Sequence, residues 1–303
     1  MQPEVKGDRP PICDYEGSDY QERFWGKGER EYEDRVEAIA IRRLLPKSGK
    51  LLLEVGAGAG RNTSRYRGFE RIVLMDYSIT QLEQAQKSLG ADDRYIYVVA
   101  DVYKLPFTDG LFDGATMIRV LHHMADAPKA LAQIRQVLQP STRFLLEYAN
   151  KRNLKSIVRY WTKRQTWDPF EREPVEFVPL NFNFHPHAVR EWLKQVGFNV
   201  ERQLAVSYFR LGWLKRKLPL KLLVALDAFI QPTGALWPFS PSVFLRARAY
   251  GKTPIAKPGS FFKCPECQTP LSESEKSLIE CSNCGRRWGK KNGIYNFKEA
   301  LKR

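Results

Sequence analysis

The stretch LLLEVGAGAGRN, residues 51 to 62, sets an apolar run and one acid before three glycines at alternate positions. The leucines of residues 51 to 53 have the continuous apolar character of a buried parallel strand, and the residues from Arg61 onward predict the start of a helix. Glycine loses more conformational freedom on folding than any other residue, so this group indicates a backbone that turns with positive φ or passes very close to a ligand. A strand, a glycine turn and a helix in this order predict the opening of a βαβ unit that binds a nucleotide-like ligand.

The alternation of strands and helices continues along the first half of the chain. Further apolar runs predict strands at residues 71–78, 95–101, 112–124 and 143–150, with helical segments between several of them. Such alternation is typical of a parallel sheet that is covered by helices on both faces. The predicted fold class is therefore α/β.

The spacing of the glycines narrows the choice of ligand. A dinucleotide-binding turn has the pattern G-x-G-x-x-G, and Arg61 stands here where its third glycine belongs. Asp76 ends the second strand 20 residues after Gly56, where a carboxylate can accept both hydroxyls of a ribose. Asp101 ends the third strand, where a carboxylate can meet an exocyclic amine. Since the turn carries no lysine of the phosphate-binding type, the pattern favours a ligand with a ribose and a base but no pyrophosphate, such as S-adenosylmethionine.

Four segments resemble the successive motifs of class I S-adenosylmethionine-dependent methyltransferases, in particular those related to ubiquinone and menaquinone biosynthesis. The segments are LLEVGAGAG, VLMDYS, VVADVYKLPFTDGLFDGATMIRVLHHM and RFLLEYANK. The resemblance covers residues 19 to 250 and is strongest over 51 to 150. It implies a Rossmann-like, seven-stranded and mostly parallel sheet with helices on both faces and an antiparallel last strand. Two strand-like runs after Gly197 would complete that sheet.

The resemblance also implies roles for individual residues. Glu54 would hold the methionine amino group of the cofactor, Asp76 its ribose, and Asp101 its adenine. Arg119 would lie beneath the sulfonium and its methyl group. The remaining cofactor-binding positions are Gly56, Ala57, Gly58 and Gly60, where the backbone approaches the ligand, and Tyr77 and Val102, which flank the adenine.

His122 and His123 follow the fourth predicted strand and are candidate bases, because a neutral imidazole can accept a proton near pH 7. The alternative is that they begin the following helix and pack in the core. With Arg119 they form the set of candidate catalytic residues.

Four of the five cysteines, Cys264, Cys267, Cys281 and Cys284, form two Cys-x-x-Cys pairs. This arrangement predicts a closed, structural Zn²⁺ site of four thiolates. The surrounding segment, residues 262 to 297, resembles the short zinc ribbons that are fused to methyltransferases or act as their activator subunits. Its basic residues beside Trp288 would either stack on and pair with nucleic acid or form a solvated face with Trp288 in the ribbon core.

The charge of the chain is concentrated in its second half. The net charge is +15 overall, and the 21 basic and 22 acidic residues of the first 150 positions nearly cancel. A surface that meets polyanions or anionic lipid would use such a field, although solubility alone would also account for it.

The predicted organisation has five parts. Residues 1–50 form an N-terminal helical cap, and 51–250 form the methyltransferase domain, with substrate-side insertions at 151–184 and 211–238. Residues 251–260 form a linker, and 261–303 form the zinc ribbon, which is expected to be dispensable for cofactor binding. No signal or transit peptide and no apolar run of the roughly 20 residues needed for a membrane span is visible, so the expected location is cytoplasmic.

Three functions remain open from the sequence. The first is methyl transfer to a small, apolar or quinone-like acceptor, because Lys215, Arg216 and Lys217 precede an apolar helix that suits a lid or a peripheral membrane contact. The second is methylation of RNA or protein through the basic half. The third is a non-catalytic module that binds the cofactor. DNA is not expected as a partner, because the fourth strand lacks the Asn/Asp-Pro-Pro-Tyr/Phe run of enzymes that methylate exocyclic amines.

Overall fold

The computed structural model describes residues 10–17, 30–90, 92–272 and 278–301. Its strands are β1 (Gly49–Val55), β2 (Phe69–Asp76), β3 (Tyr95–Val99), β4 (Phe112–Met117), β5 (Leu138–Ala149), β6 (Val175–Val178), β7 (Asn181–Asn183), β8 (Phe198–Val206), β9 (Ser242–Ala249), β10 (Leu278–Glu280), β11 (Arg287–Lys291) and β12 (Ile294–Asn296). Its α-helices are α1 (Glu31–Leu44), α2 (Ile79–Leu89), α3 (Ala127–Val137), α4 (Leu154–Trp161), α5 (Pro186–Gln195), α6 (Gly212–Lys217) and α7 (Leu220–Ile230).

The central sheet contains the seven strands that the resemblance implied. Their order is β3-β2-β1-β4-β5-β9-β8, and β9 runs antiparallel to both of its neighbours while the others are parallel. The α/β, Rossmann-like fold class is thereby confirmed.

Alternate side chains of the strands pack into two apolar clusters, one on each face of the sheet. In one cluster, Leu53, Val55 and Val73 of the strands pack with buried side chains of α3 and α5. In the other, Leu52 and Leu74 pack with buried side chains of α1, α2 and α7. Helices therefore cover both faces, which explains why β1 and β2 read as continuous apolar runs.

The cysteine-containing segment extends this sheet instead of forming a separate one. β12 pairs with β3 in parallel, and β11 and β10 follow, so that the sheet has ten strands in the described part of the chain. Phe262, Trp288 and Phe297 are buried in the same apolar cluster as Phe107 of the main body. The predicted linker also contacts the body, since the Ala256 N–H donates to the Gly110 carbonyl at 3.1 Å.

Two predicted elements differ from the structure. No regular helix begins at Arg61; a short 3₁₀ turn, Thr63–Arg65, follows instead. The side chains of this stretch are engaged elsewhere, since Arg61 pairs with Asp34 of α1 and the Thr63 hydroxyl bonds to Glu54. The fourth strand also ends at Met117, because the chain turns at Arg119 with a φ of 59°.

None of the helices in the described ranges combines the length and the apolar character that a membrane crossing requires.

Candidate functional site

A cavity opens where β1, β2 and β4 end. Because these strands are parallel, the loops that leave their carboxyl ends meet at one edge of the sheet, where open α/β folds bind ligands. Nine of the predicted site residues line the cavity: Glu54, Gly56, Ala57, Gly58, Asp76, Tyr77, Val102, Arg119 and His123. Gly60, Asp101 and His122 are not among the lining residues.

The glycine turn is held in conformations that few other residues adopt. Gly56, Gly58 and Gly60 have φ of +67°, +54° and +77°. A Cβ atom at Gly56 would lie 2.2 Å from Val120 Cγ2, and one at Gly60 would lie 2.8 Å from Leu89 Cδ1. Gly60 therefore serves the packing of the turn on α2, whereas Gly56 and Gly58 face the cavity.

Asp76 stands at the end of β2 with its carboxylate held by the backbone. Oδ2 accepts the Gly58 N–H at 2.8 Å, and Oδ1 accepts the Ser78 N–H at 3.0 Å. Burial raises the pKa of this carboxyl, while the bonds from Ser78 and Gly58 oppose the rise. These two contacts orient the carboxylate at the rim of the cavity.

Glu54 lies in β1 directly before the glycine turn and is buried, with 4% of its surface exposed. Its Oε2 accepts the Thr63 hydroxyl at 2.6 Å. Burial raises the pKa of Glu54 to about 7, since the apolar surroundings disfavour the charged form. A cationic group brought into the cavity would favour ionisation of this carboxyl.

Asp101 is buried and does not line the cavity, and its Oδ1 accepts the Tyr103 N–H at 2.8 Å. The neighbouring Val102 does line the cavity. The structure thus places Val102, one of the residues predicted to flank the adenine, at the cavity, and leaves its acidic neighbour Asp101 outside the lining.

Arg119 lies in an ion-pair network that sequence reasoning did not find. Its Nε donates to Glu37 Oε1 at 2.8 Å, and Glu37 Oε2 accepts from Arg61 at 2.9 Å. Its backbone N–H donates to Glu147 at 2.9 Å, which holds the strained left-handed conformation. Burial by itself would raise the pKa of Glu37, but Arg119 and Arg61 outweigh it and lower this pKa to about 2.

A signal for this network was present in α1. Glu33 and Glu37 stand at helical spacing with Ala40 and Leu44 on the buried side of the helix. Acids on an apolar helix face are rarely buried without a cationic partner. The identity of the partner is set by the tertiary fold and was not readable from the pattern.

The two histidines differ in their surroundings. His123 lines the cavity, and its Nδ1 and Nε2 lie 3.1 Å from the Leu180 carbonyl and 3.1 Å from the Tyr15 hydroxyl. His122 has a buried Nδ1 with no hydrogen-bond partner in the described ranges. Burial lowers the pKa of both rings, most strongly that of His122. Both imidazoles are therefore neutral at pH 7.

The C-terminal segment reaches this site. Lys298 Nζ lies 3.9 Å from the centre of the Tyr77 ring and donates to Asp14 Oδ2 at 2.8 Å. Cys13 and Tyr15, which precede and follow Asp14, line the cavity. Their involvement had no sequence signal, because the segment around them has no periodic pattern.

The four predicted metal ligands converge on one point. All four cysteine Sγ atoms lie within 4.8 Å of one another. Sulfur atoms at these separations form the donor set that Zn²⁺ takes in closed tetrahedral sites. Trp288, between the second cysteine pair and β12, is 1% exposed and therefore belongs to the core instead of offering a stacking surface.

Comparisons with known proteins agree with this geometry. Residues 53–146 match the family model described as methyltransferase domain. The O-methyltransferase cnsE of Penicillium expansum is 38% identical over 118 residues, which are 37% of this chain and 43% of that protein. The demethylmenaquinone methyltransferase of Clavibacter sepedonicus is 31% identical over 115 residues, 37% of this chain and 47% of that protein. The chain thus spans less than half the length of these two curated relatives.

Two solved structures share the fold. One is the complex between the Haloferax volcanii Trm112 methyltransferase activator and the putative methyltransferase, with a TM-score of 0.53, 17% identity and coverage of 77% of this chain and 95% of that chain. The other is a putative S-adenosylmethionine-dependent methyltransferase from Listeria monocytogenes, with a TM-score of 0.52, 14% identity and coverage of 73% of this chain and 100% of that chain. At these identities the likeness concerns the fold alone.

Proposed function

Because the chain carries a class I S-adenosylmethionine-dependent methyltransferase domain, we propose that it transfers a methyl group from S-adenosylmethionine to a small, apolar or quinone-like acceptor. The observation that carries the proposal is the convergence of Glu54, the glycine turn, Asp76 and Arg119 on one cavity at the carboxyl edge of the sheet. The acceptor class is supported by the relatives, whose names include O-methyltransferases and a demethylmenaquinone methyltransferase.

Different residues of the chain would then bind the different parts of the cofactor and align it with the acceptor. Asp76 accepts the ribose hydroxyls, Glu54 faces the amino group, and Tyr77 and Val102 flank the adenine. When bound, S-adenosylmethionine supplies an electrophilic methyl group that an acceptor attacks in line. The main task of the protein is alignment and exclusion of water, worth up to about 7–11 kcal/mol. His122 and His123 are the candidate bases for an acceptor that must lose a proton.

We also propose that the four cysteines bind one structural Zn²⁺, supported by the convergence of their sulfur atoms.

A peripheral membrane contact is part of the proposal, supported by an exposed apolar surface on α7 and the turn that follows it. α7 presents Leu222, Leu226 and Phe229 to solvent, and Leu236 and Trp237 follow it. Three basic residues in α6 precede this surface, as in helices that lie on anionic membranes. An apolar acceptor could reach the enzyme from a membrane by this route.

The function is tested by incubating the protein with methyl-labelled S-adenosylmethionine and a cell extract. We expect label in the small-molecule fraction that organic solvent extracts, and in the membrane pellet if the acceptor resides there. Asp76→Ala, at a cofactor concentration that saturates only the wild-type protein, serves as the control with weakened cofactor binding. Label in RNA or protein would support the alternative acceptors, and no transfer despite cofactor binding would support the non-catalytic module.

The raised pKa of Glu54 predicts a pH dependence of cofactor binding. Below pH 7 this carboxyl is protonated and cannot attract the ammonium group, whereas above pH 7 it is ionised. The affinity for S-adenosylhomocysteine should therefore rise about tenfold between pH 6 and pH 8. Isothermal titration calorimetry at several pH values measures this affinity, and Glu54→Gln should abolish its dependence on pH. An equal slope in that variant would assign the titration to another group.

A further inference from the structure

Four arginines share one face of the central sheet, on strands β5, β8 and β9. Arg143 of β5 stands opposite Arg248 of β9, and Arg202 of β8 stands opposite Arg246 of β9. Cross-strand partners project from the same face of a sheet, as do alternate residues of one strand. Leu145, which also stands opposite Arg246, belongs to the apolar cluster of α1, α2 and α7. The four side chains, called the arginine cluster below, therefore project on the side of the sheet that carries these helices.

The positive charge of the arginine cluster is only partly balanced. Glu201 Oε2 lies 3.1 Å from Arg143 Nε and 2.9 Å from Arg246 Nε. Arg202 and Arg248 are exposed, and no carboxylate forms an ion pair with either of them in the described ranges. Four guanidinium groups thus share the charge of one paired acid.

This arrangement costs the sheet stability, because like charges directly opposite each other on neighbouring strands repel. Protection of an open edge could account for an arginine on β8, which ends the sheet. It does not account for the arginines of β5 and β9, since each of these strands is paired on both sides. An anion bound between the guanidinium groups would relieve the repulsion, and phosphate oxygens fit their forked donors. The arginine cluster therefore indicates a partner that carries phosphate groups.

The arginine cluster adjoins the apolar surface of α7. Arg202 Nη1 donates to the Arg43 carbonyl at 3.4 Å, and Arg43 Nη1 donates to the Ala228 carbonyl of α7 at 2.6 Å. The next residue of that helix, Phe229, is 83% exposed. The four arginines are not among the residues that line the cofactor cavity. The basic and the apolar groups thus form neighbouring parts of one surface outside that cavity.

The neighbouring helix indicates which phosphate-bearing partner fits. An anionic membrane presents phosphate groups beside an apolar layer, which match the arginine cluster and the exposed Leu222, Leu226 and Phe229. RNA presents phosphates and base faces, and proteins bind the bases by stacking aromatic side chains on them. Exposed leucines beside the arginines would have no role in such a contact. The observations therefore favour lipid.

We propose that the arginine cluster binds the phosphate groups of anionic lipids while α7 inserts its exposed apolar side chains, so that the protein selects anionic membranes. The inference deepens the membrane contact of the proposed function and rests on it for the apolar part of the surface. It does not depend on the identity of the methyl acceptor.

The test measures binding of the full chain to vesicles of phosphatidylcholine, with and without phosphatidylglycerol. We expect the wild-type protein to bind the mixed vesicles at least about tenfold more tightly, and added salt to weaken this preference. The double variant Arg202→Gln/Arg248→Gln should lose about fivefold in affinity per arginine, or about 25-fold together, for the mixed vesicles. Its melting temperature should not fall, since the change removes repulsion. Arg202→Lys/Arg248→Lys should restore most of the binding, because the membrane field acts on charge.

Matched controls separate the two parts of the surface. Arg67→Gln/Arg71→Gln removes the same charge from exposed positions outside the arginine cluster and should change binding by less than about twofold. Phe229→Ser should weaken binding to both kinds of vesicle and leave the preference for phosphatidylglycerol.

Three results would overturn the proposal. They are equal binding of both vesicles by the wild-type protein, wild-type affinity for mixed vesicles in the folded double glutamine variant, and an oligouridylate that binds through these arginines while vesicles do not. Failure of the wild-type protein to bind S-adenosylhomocysteine would instead refute the proposed function, and leaves the vesicle result standing.

Discussion

Replacing Asp76 by alanine is expected to weaken binding of S-adenosylhomocysteine by about 100-fold or more. The ribose of the bound ligand would lose two charge-assisted hydrogen bonds to the Asp76 carboxylate, which together contribute roughly 3 kcal/mol or more. The same change leaves the N–H groups of Gly58 and Ser78 without their acceptor and loosens the glycine turn. Both effects act in the same direction on affinity.

Calorimetry of two further variants separates these effects. Asp76→Asn keeps an acceptor oxygen for the turn but loses the charge, so its affinity should lie between wild type and Asp76→Ala. Asp126→Ala removes a different carboxylate that accepts a backbone N–H, from Lys129 at 3.0 Å, and should lower stability without changing affinity. Unchanged affinity in Asp76→Ala would show that the ribose does not bind to this carboxylate.

Loss of the metal site is expected to destabilise the whole chain and not only its C-terminal part. Cys281→Ser should release about one zinc ion per chain and lower the free energy of unfolding by at least about 3 kcal/mol. Phe262, Trp288 and Phe297 pack in the cluster that contains Phe107, so disorder in the ribbon opens the main core. The melting curve should remain a single transition at lower temperature.

The affinity for S-adenosylhomocysteine should fall in the same variant, because Lys298 packs on Tyr77 at the cofactor cavity. Metal analysis, differential scanning calorimetry and cofactor titration make up the measurement. Cys13→Ser is the control for zinc content, since Cys13 lies outside the cysteine cluster. Two separate transitions, with cofactor affinity intact after loss of zinc, would restore the view of an independent ribbon.

The central part of the fold was readable from the sequence because its signals are local. Buried strands of five to eight residues, the glycine turn, and acids at strand ends each leave a pattern along the chain. The antiparallel β9 was implied by the family resemblance and not by periodicity. The helix predicted at Arg61 failed because tertiary ion pairs with Asp34 and Glu37 compete with helix formation.

The pairing of β12 with β3 could not be predicted in this way. β12 has only three residues, Ile294–Asn296, which is too short for a period to show. Its partner lies far away in the chain, and pairing across such a distance is decided by the complementarity of two edges. The same reason hid the bonds of Glu37 to Arg61 and Arg119, since each links residues that no local spacing connects.

The β12 pairing also has a consequence for synthesis of the chain on the ribosome. An uncovered strand edge offers free N–H and C=O groups to other chains and promotes aggregation. The partner of the β3 edge, Ile294–Asn296, is translated about 195 residues after Val99, which at ~5–20 residues per second is on the order of 10–40 seconds later. During that interval the nascent protein carries an open template for strand addition, which closes only when β12 pairs with β3.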